Sequence, residues 1–210
     1  MSIVWPCSLS LDAYVKAGRS IDWPRPDCPA CGLAMSFWSG YRRHVRAAGR
    51  AQAIFVPRVR CRSCAVSHAL LPAFLLVNRL DVVDTIGEVI DEVASGRGGV
   101  RPPAERAGVP HTTARGWWRR FRARAERIAV GFAALAVELG GATLAPLGNL
   151  GAWAMAAMAD AWEAAARLAG WATLGCWHFV SAVSGGALLA TNTSSPWFVI
   201  GKRRFIPPVP

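Results

Sequence analysis

The chain has 210 residues, with 24 Lys plus Arg against 13 Asp plus Glu, a formal net charge of +11 and a sequence pI of about 10.6. That length suits one or two domains with a full hydrophobic core. The basic excess argues against an ordinary near-neutral enzyme and for a polyanion partner, either nucleic acid or an anionic membrane surface.

Reading from the N-terminus, "MSIVWPCSLSLDAY" has neither the basic start nor the apolar run of a secretory leader. A reducing cytoplasm is therefore expected, and paired cysteines are read first as metal ligands. "SLSLDAYVKAG" offers Ser8 or Ser10 as a helix N-cap, with Leu11, Tyr14 and Val15 on one side. The Pro-rich "DWPRPDCPACG" ends that helix. "SFWSGYRRHV" and "AIFVPRVRC" read as two strands joined by a turn in "RAAGRA", with Pro57 suited to an edge or bulge. In "LDVVDTIGEVIDEVAS", Val82, Ile86, Val89, Ile90 and Val93 recur at helical spacing, with acids on the other face. "RPPAERAG" is a short helix with Pro in its first turn, and "GVP" is a tight turn. From His111 to about Leu139 the pattern predicts one long helix, stopped by Gly140 and Gly141. "WAMAAMADAWEAAARLA" reads as another helix. "SGGALLATNTSSPWFVIGKRRFIPPVP" reads as short strands and loops with a basic, Pro-rich tail.

Four cysteines carry the clearest chemistry. Cys28 and Cys31 form one CxxC pair, and Cys61 and Cys64 form a second. Each pair can sit on a tight knuckle, with Gly32 fitting the turn of the first. A hairpin between the pairs brings four thiolates to one point, the ligand set of structural zinc. Four sulfurs leave no open position for a catalytic water. Two disulfides or free core thiols are the alternatives. His68 is a conceivable substitute ligand, but the set is complete without it. Cys7 and Cys176 are read as ordinary buried thiols. Arg42, Arg43, His44 and Arg46 on one strand, and Arg58, Arg60 and Arg62 on the other, could lie along phosphates. The alternative is a solvated hairpin.

The basic excess is concentrated: 20 basic and 10 acidic residues precede Ile128, but only four basic and three acidic lie from Ile128 onward. Within "GVPHTTARGWWRRFRARAER", a helix at about 100° per residue gathers Trp117, Phe121, Ile128, Phe132, Leu135 and Leu139 into a sector of roughly 60°. His111, Thr112, Arg115, Arg119 and Arg122 fall opposite, and Arg120, Arg124 and Arg127 lie between. A solvated helix would mix acids into its outer face, and only Glu126 is present here. "VRPPAERAGVPHTTARGWWRRF" has the order of a helix-turn-helix. Thr112 and Thr113 would cap the second helix and touch phosphate or bases. His111, Thr112, Arg115 and Arg119 are the candidate base readers, Arg122 is a further DNA contact on the same face, and Arg120, Arg124 and Arg127 can reach a flanking backbone.

The motifs "CPACG…FWSGYRRHV…PRVRCRSCAVSHALLPAFLL", "GVRPPAERAGVPHTTARGWWRRF" and "LLATNTSSPW" resemble an uncharacterised bacterial family, common in actinobacteria, known only as a domain of unknown function. The resemblance covers most of the chain. The order of ribbon and helix-turn-helix is similar to the N-terminal DNA-binding portion of several insertion-sequence transposases, which implies a link to mobile elements.

No enzyme is expected. A DDE nuclease needs three carboxylates around two metals, and the C-terminal part has only Glu138, Asp160 and Glu163. His178 is read as a packed core histidine rather than a base for Cys176. Leu168 to Gly201 bears no formal charge, but its Gly, Ser, Thr, Asn and Pro content disfavours a membrane span. The expectation is an α+β protein in three segments. Residues 1–78 hold an N-terminal helix and zinc ribbon, 79–140 a helix-turn-helix with an extended recognition helix, and 141–210 a Trp-rich region. It would be a non-catalytic, nucleoid-associated cytoplasmic protein that takes structural Zn2+. Its expected partners are double-stranded DNA and either a transposase or a second copy of itself, with no small-molecule substrate. A transcriptional repressor is the near alternative, and a zinc-ribbon adaptor for protein partners the distant one.

Overall fold

The computed structural model describes residues 2–142, 148–168 and 170–190. The fold is α+β. Strands β1 (Ser2–Trp5), β2 (Ser36–Ala47), β3 (Arg50–Arg60) and β4 (Ser67–Pro72) form one sheet in the order β1-β4-β3-β2. β1 runs parallel to β4, and the other neighbours are antiparallel. Helix α1 (Leu11–Ala17) lies between β1 and β2. Its cap is Ser10, whose hydroxyl accepts the Ala13 N–H. Tyr14 is fully buried on its inner side and donates its hydroxyl to the Phe55 carbonyl.

β2 and β3 are the two strands expected, extended to the turn itself. They pair from Ser36↔Arg60 to Ala47↔Arg50, with a bulge at Phe37/Ser39. Ala48 and Gly49 turn the hairpin, both with φ > 0 (45° and 76°). That is the backbone hand that matches strand twist in a two-residue hairpin loop. β1 and β4 were not expected from the sequence.

The helices follow: α2 (Val83–Ala94), α3 (Arg101–Arg106), α4 (His111–Arg122), α5 (Ala125–Glu138), α6 (Leu150–Ala166) and α7 (Cys176–Val183). α2 and α6 were expected close to these bounds; α7 was not. The long helix expected from His111 to Leu139 is two helices. At the junction the Arg124 N–H bonds to the Phe121 carbonyl, a tighter i→i+3 closure. Arg124 leaves the helical region (φ −124°, ψ 4°) and begins α5. Neither Gly nor Pro marks the break. The apolar stripe still runs through it, with Trp117, Phe121, Ala125, Ile128 and Phe132 all buried.

One large hydrophobic cluster reaches from Val4 to Leu189 and joins residues of all three expected segments. α5 and α6 pack closely over small side chains; Ala154, Ala157, Ala161, Ala164 and Ala165 are buried on α6. α7 closes on α2, where the indole of Trp177 lies over Gly87. A smaller cluster of Cys28, Met35, Val59, Cys61 and Leu70 sits at the cysteine end of the hairpin. Residues 184–190 of the expected C-terminal strands are turns, and the rest of that stretch lies outside the described residues. No described helix is long and apolar enough to cross a membrane.

Candidate metal centre and nucleic-acid face

The hairpin brings the two CxxC pairs together because one precedes β2 and the other follows β3. The two knuckles repeat the same bonds. The Cys28 N–H meets the Leu33 carbonyl at 2.8 Å, and the Cys61 N–H meets the Val66 carbonyl at 2.9 Å. The residue after each second cysteine has φ > 0: Gly32 at 75° and Ala65 at 59°. Gly32 therefore takes the knuckle turn expected of it, and Ala65 takes the equivalent turn despite its Cβ.

The four sulfurs lie within 4.8 Å of one another. Cys28 Sγ is 3.5 Å from Cys64 Sγ, Cys31 Sγ is 3.4 Å from Cys61 Sγ, and Cys31 Sγ is 4.0 Å from Cys64 Sγ. No disulfide forms. A bonded pair would stand at about 2.05 Å. Around a tetrahedral ion with bonds of about 2.3 Å, sulfurs stand about 3.8 Å apart, inside the range found here. The cluster is thus compatible with a metal site. Backbone N–H groups of Cys64 and Ser63 help pull Cys61 down to about 6, the Cys64 amide contributing most. The Ala30 amide leads in lowering Cys28. The Leu33 and Val66 amides pull Cys31 and Cys64 down, but hydrogen bonds shared with neighbouring thiols, together with desolvation, outweigh them, so Cys31 is pushed up to about 12 and Cys64 is also raised. Thiolates are the forms a metal binds. His68 is no part of the cluster; it is buried on β4 with neither ring nitrogen hydrogen-bonded.

At the other end of the hairpin the turn docks on the helices. Gly49 and Gly108 touch through their backbones, and a Cβ on Gly108 would stand 3.1 Å from the Gly49 Cα. Gly108, at φ 63°, lies in the four-residue turn between α3 and α4. Ala104 and Ala114 are fully buried on the two helices, and Val109 is buried between them. The metal end and α4 therefore sit at opposite ends of the same hairpin.

α4 presents the two faces that its sequence divides. Ala114, Trp117 and Phe121 are buried, and His111, Thr112, Arg115, Arg119 and Arg122 are exposed. Among the described residues none of those five side chains has a hydrogen-bonding or ionic partner. Pro110 stands at the N-cap with no side-chain cap, so the expected capping by Thr112 and Thr113 does not occur. Thr112 is exposed and Thr113 half-buried.

Other predicted contacts are diverted. Arg43 is half-buried and donates Nη2 to the Leu76 carbonyl at 3.0 Å and the Arg79 carbonyl at 2.5 Å, so it braces a turn instead of facing phosphate. Arg120 donates to the Gly116 carbonyl, and Arg124 to the Leu188 carbonyl. Arg42 is exposed. Arg58 donates to Ser67 at the surface, and Arg60 donates to the Ala65 carbonyl while its guanidinium lies 4.7 Å from the Trp38 ring centre. Arg46 forms a two-pronged ion pair with buried Asp81. His178 meets Asp84 at 3.1 Å, making it a helix-to-helix contact between α7 and α2. Burial pushes Cys7 up to about 11 and Cys176 up to about 12, which suits inert thiols.

The sequence reading missed an aromatic surface at the metal end. Leu33, Phe37, Trp38 and Tyr41 are exposed. Beside them a cleft of about 540 Å³ is lined by Arg19, Trp23, Phe37, Ser39, Gly40 and Phe55. Alternation along "SFWSGY" was the available signal, since it leaves rings on both faces of β2.

Residues 28–115 match the family model described as "Domain of unknown function (DUF6431)". The match starts at the first cysteine and ends on the first turns of α4, so it covers less of the chain than the resemblance implied. Comparisons with curated proteins and with solved structures give no match. The likeness to insertion-sequence transposases draws no support from them.

Proposed function

We propose that this chain is a non-catalytic protein that binds duplex DNA through α4, with a structural zinc ion in the Cys28, Cys31, Cys61 and Cys64 cluster. The observation that carries the reading is the outer face of α4. Arg115, Arg119 and Arg122 stand there exposed and, among the described residues, unpaired, and the helix contains no acidic residue, while Trp117 and Phe121 anchor its other side. Short helix, glycine turn and second helix are in the order that places a first turn in the major groove. The His111 and Thr112 N–H groups have no acceptor within the helix and mark its positive end, a natural seat for a backbone phosphate. Arg115 or Arg119 would take guanine in a two-pronged contact. Arg42, Arg58 and Arg60 would extend contact along the hairpin.

The zinc assignment rests on donor chemistry: four soft sulfurs, two of them lowered by backbone amides, at tetrahedral spacing and with no open position. Bound there, zinc would staple the two knuckles. The protein would act in the nucleoid as an accessory of a mobile element, alongside a separate transposase, or as a dimer. Transcriptional repression uses the same chemistry and is the rival role; a transposase gene beside this one favours the first. A protein-interaction adaptor is the reading that exposed Leu33, Phe37, Trp38 and Tyr41 favour.

Selection of bound duplexes from a random pool tests the proposal. An enriched motif is expected, and its half-site spacing reports oligomeric state. Arg115→Ala should relax one base position, at a cost of about 1–3 kcal/mol in discrimination. Binding that shows neither an enriched motif nor a steep fall with salt rejects the DNA reading in favour of an adaptor.

A further inference from the structure

Arg79 and Arg124 are held on successive carbonyls beside the end of α4, Arg120 lies near enough for its charge to act on Arg79, and among the described residues none of the three is paired with a carboxylate. Arg79, between β4 and α2, donates Nη2 to the Leu189 carbonyl at 2.5 Å. Arg124, at the break between α4 and α5, donates Nη1 to the adjacent Leu188 carbonyl at 3.3 Å. Successive carbonyls thus hold two guanidinium groups side by side. Arg120, one turn before Arg124, donates Nη1 to the Gly116 carbonyl at 2.9 Å. Arg43 clamps the Arg79 carbonyl from β2 and so fixes the backbone that carries the third cation.

All three side chains are half-buried, and the Nε–H groups of Arg79 and Arg120 are buried with no partner. No ion pair among the described residues involves any of the three. Every Asp and Glu of the chain lies in a described segment, and residues 191–210, which follow Ala190, contain none. The chain therefore supplies no side-chain anion. Burial, and then the charges of Arg120 and Arg124, push the Arg79 guanidinium below its usual value. Carbonyl oxygens satisfy individual N–H groups but leave the summed positive charge in place. An external group must offer acceptors in several directions together with negative charge. A carboxylate presents two oxygens in one plane; a phosphate presents oxygens tetrahedrally and matches arginine forks that converge from separate elements.

We infer that Arg79, Arg120 and Arg124 form an oxyanion site for a phosphate group. The phosphate is either a phosphodiester of the DNA strand flanking α4 or a free phosphate or phosphorylated small molecule. The first source rests on the DNA-binding reading above; the site itself does not.

The test uses the full, metal-loaded chain and inorganic phosphate at constant ionic strength, followed by the arginine Nε–H resonances in NMR. Phosphate should shift Arg79 and Arg120 saturably and leave exposed Arg119 and Arg122 in place. Arg79→Gln should abolish the Arg120 shift. Arg120→Gln should abolish the Arg79 shift without disturbing the Leu189 contact, so the test survives if Arg79→Gln fails to fold. Equal small shifts at all four arginines overturn the site, whatever the chain does with DNA. A second arm measures affinity for duplex DNA against salt. A phosphodiester source predicts that Arg120→Gln flattens the log–log salt slope by about 1. A specific phosphate shift with an unchanged slope, or with no DNA binding at all, supports the site and assigns it to a free or small-molecule phosphate.

Discussion

On the proposed zinc assignment, removing the ion should open one end of the hairpin and leave α4 standing. β3 has eleven residues, which at about 3.3 Å each place the cysteine end roughly 36 Å from the turn at Ala48–Gly49. At the turn the hairpin is held by the Gly49–Gly108 contact, by the Arg46 N–H to the Leu80 carbonyl and by the Val82 N–H to the Arg46 carbonyl. At the cysteine end the small cluster buries Met35, Val59 and Leu70 beside Cys28 and Cys61, with Ile3 and Trp5 partly buried against them. Met35, Val59 and Leu70 contribute about 5–8 kcal/mol as an upper bound, and four clustered thiols without an ion hold nothing together. Chelation should therefore release the Cys28, Gly32 and Cys61 amides, whose bonds close the knuckles. Hydrogen exchange read by mass spectrometry, before and after a strong zinc chelator, resolves the two ends. Peptides covering residues 26–36 and 60–67 should lose protection by orders of magnitude. Peptides covering 44–52 and 101–122 should change little. Uniform loss of protection, or none at the knuckles, would refute the view of zinc as a local staple.

Three further outcomes follow from packing and charge. Gly87→Ala places a Cβ 2.4 Å from the Trp177 indole and should cost about 1–3 kcal/mol; in a Trp177→Ala background the same change should stabilise by up to about 1 kcal/mol, a sign reversal that thermal denaturation reads directly. Arg46→Leu strips buried Asp81 of its two-pronged partner and should cost about 3 kcal/mol, a fall of roughly 6–12 °C in Tm. Burial lowers the His68 pKa, so the unfolded chain binds its proton more readily than the folded one. Stability should accordingly decline as pH falls below about 6.5, at a rate of up to about 1.4 kcal/mol per pH unit. His68→Leu should lack that component, and parallel pH profiles for the two proteins would show that the imidazole contributes none of it.

What the sequence revealed was local. CxxC spacing, the Ser10 cap, the period of α2 and the glycine turn before α4 each depend on residues within a few positions of one another. What it concealed was long-range. β1 pairs with β4 across more than sixty residues of chain, and the strand residues "SHALLP" run without interruption into the buried "AFLL", so no alternation marks them. The break at Arg124 has no Gly or Pro to announce it, and the contact of its side chain with the Leu188 carbonyl comes from a distant turn. Arg43 looks like any other strand arginine until its partners, Leu76 and Arg79, are seen. Counting arginines located the basic half of the molecule; only tertiary contacts separate those that brace the fold from those that face outward.

That separation is also the strongest argument about function. α2 packs on α4 and carries Asp84, Glu88, Asp91 and Glu92. Acids so close would readily neutralise arginines if the basic face served only solubility. The ion pairs of α2 go elsewhere: Glu92 pairs with Arg106 on α3, and Asp84 meets His178 on α7. Arg46, the arginine with the buried ion pair, lies on the hairpin and is matched by Asp81. Arg115, Arg119 and Arg122 are left with no acid on their own helix and no ionic partner among the described residues. Like charges at i,i+4 such as Arg115 and Arg119 cost the helix a few tenths of a kcal/mol, and an unmatched basic face of this kind is what the proposed contact with a polyanion requires.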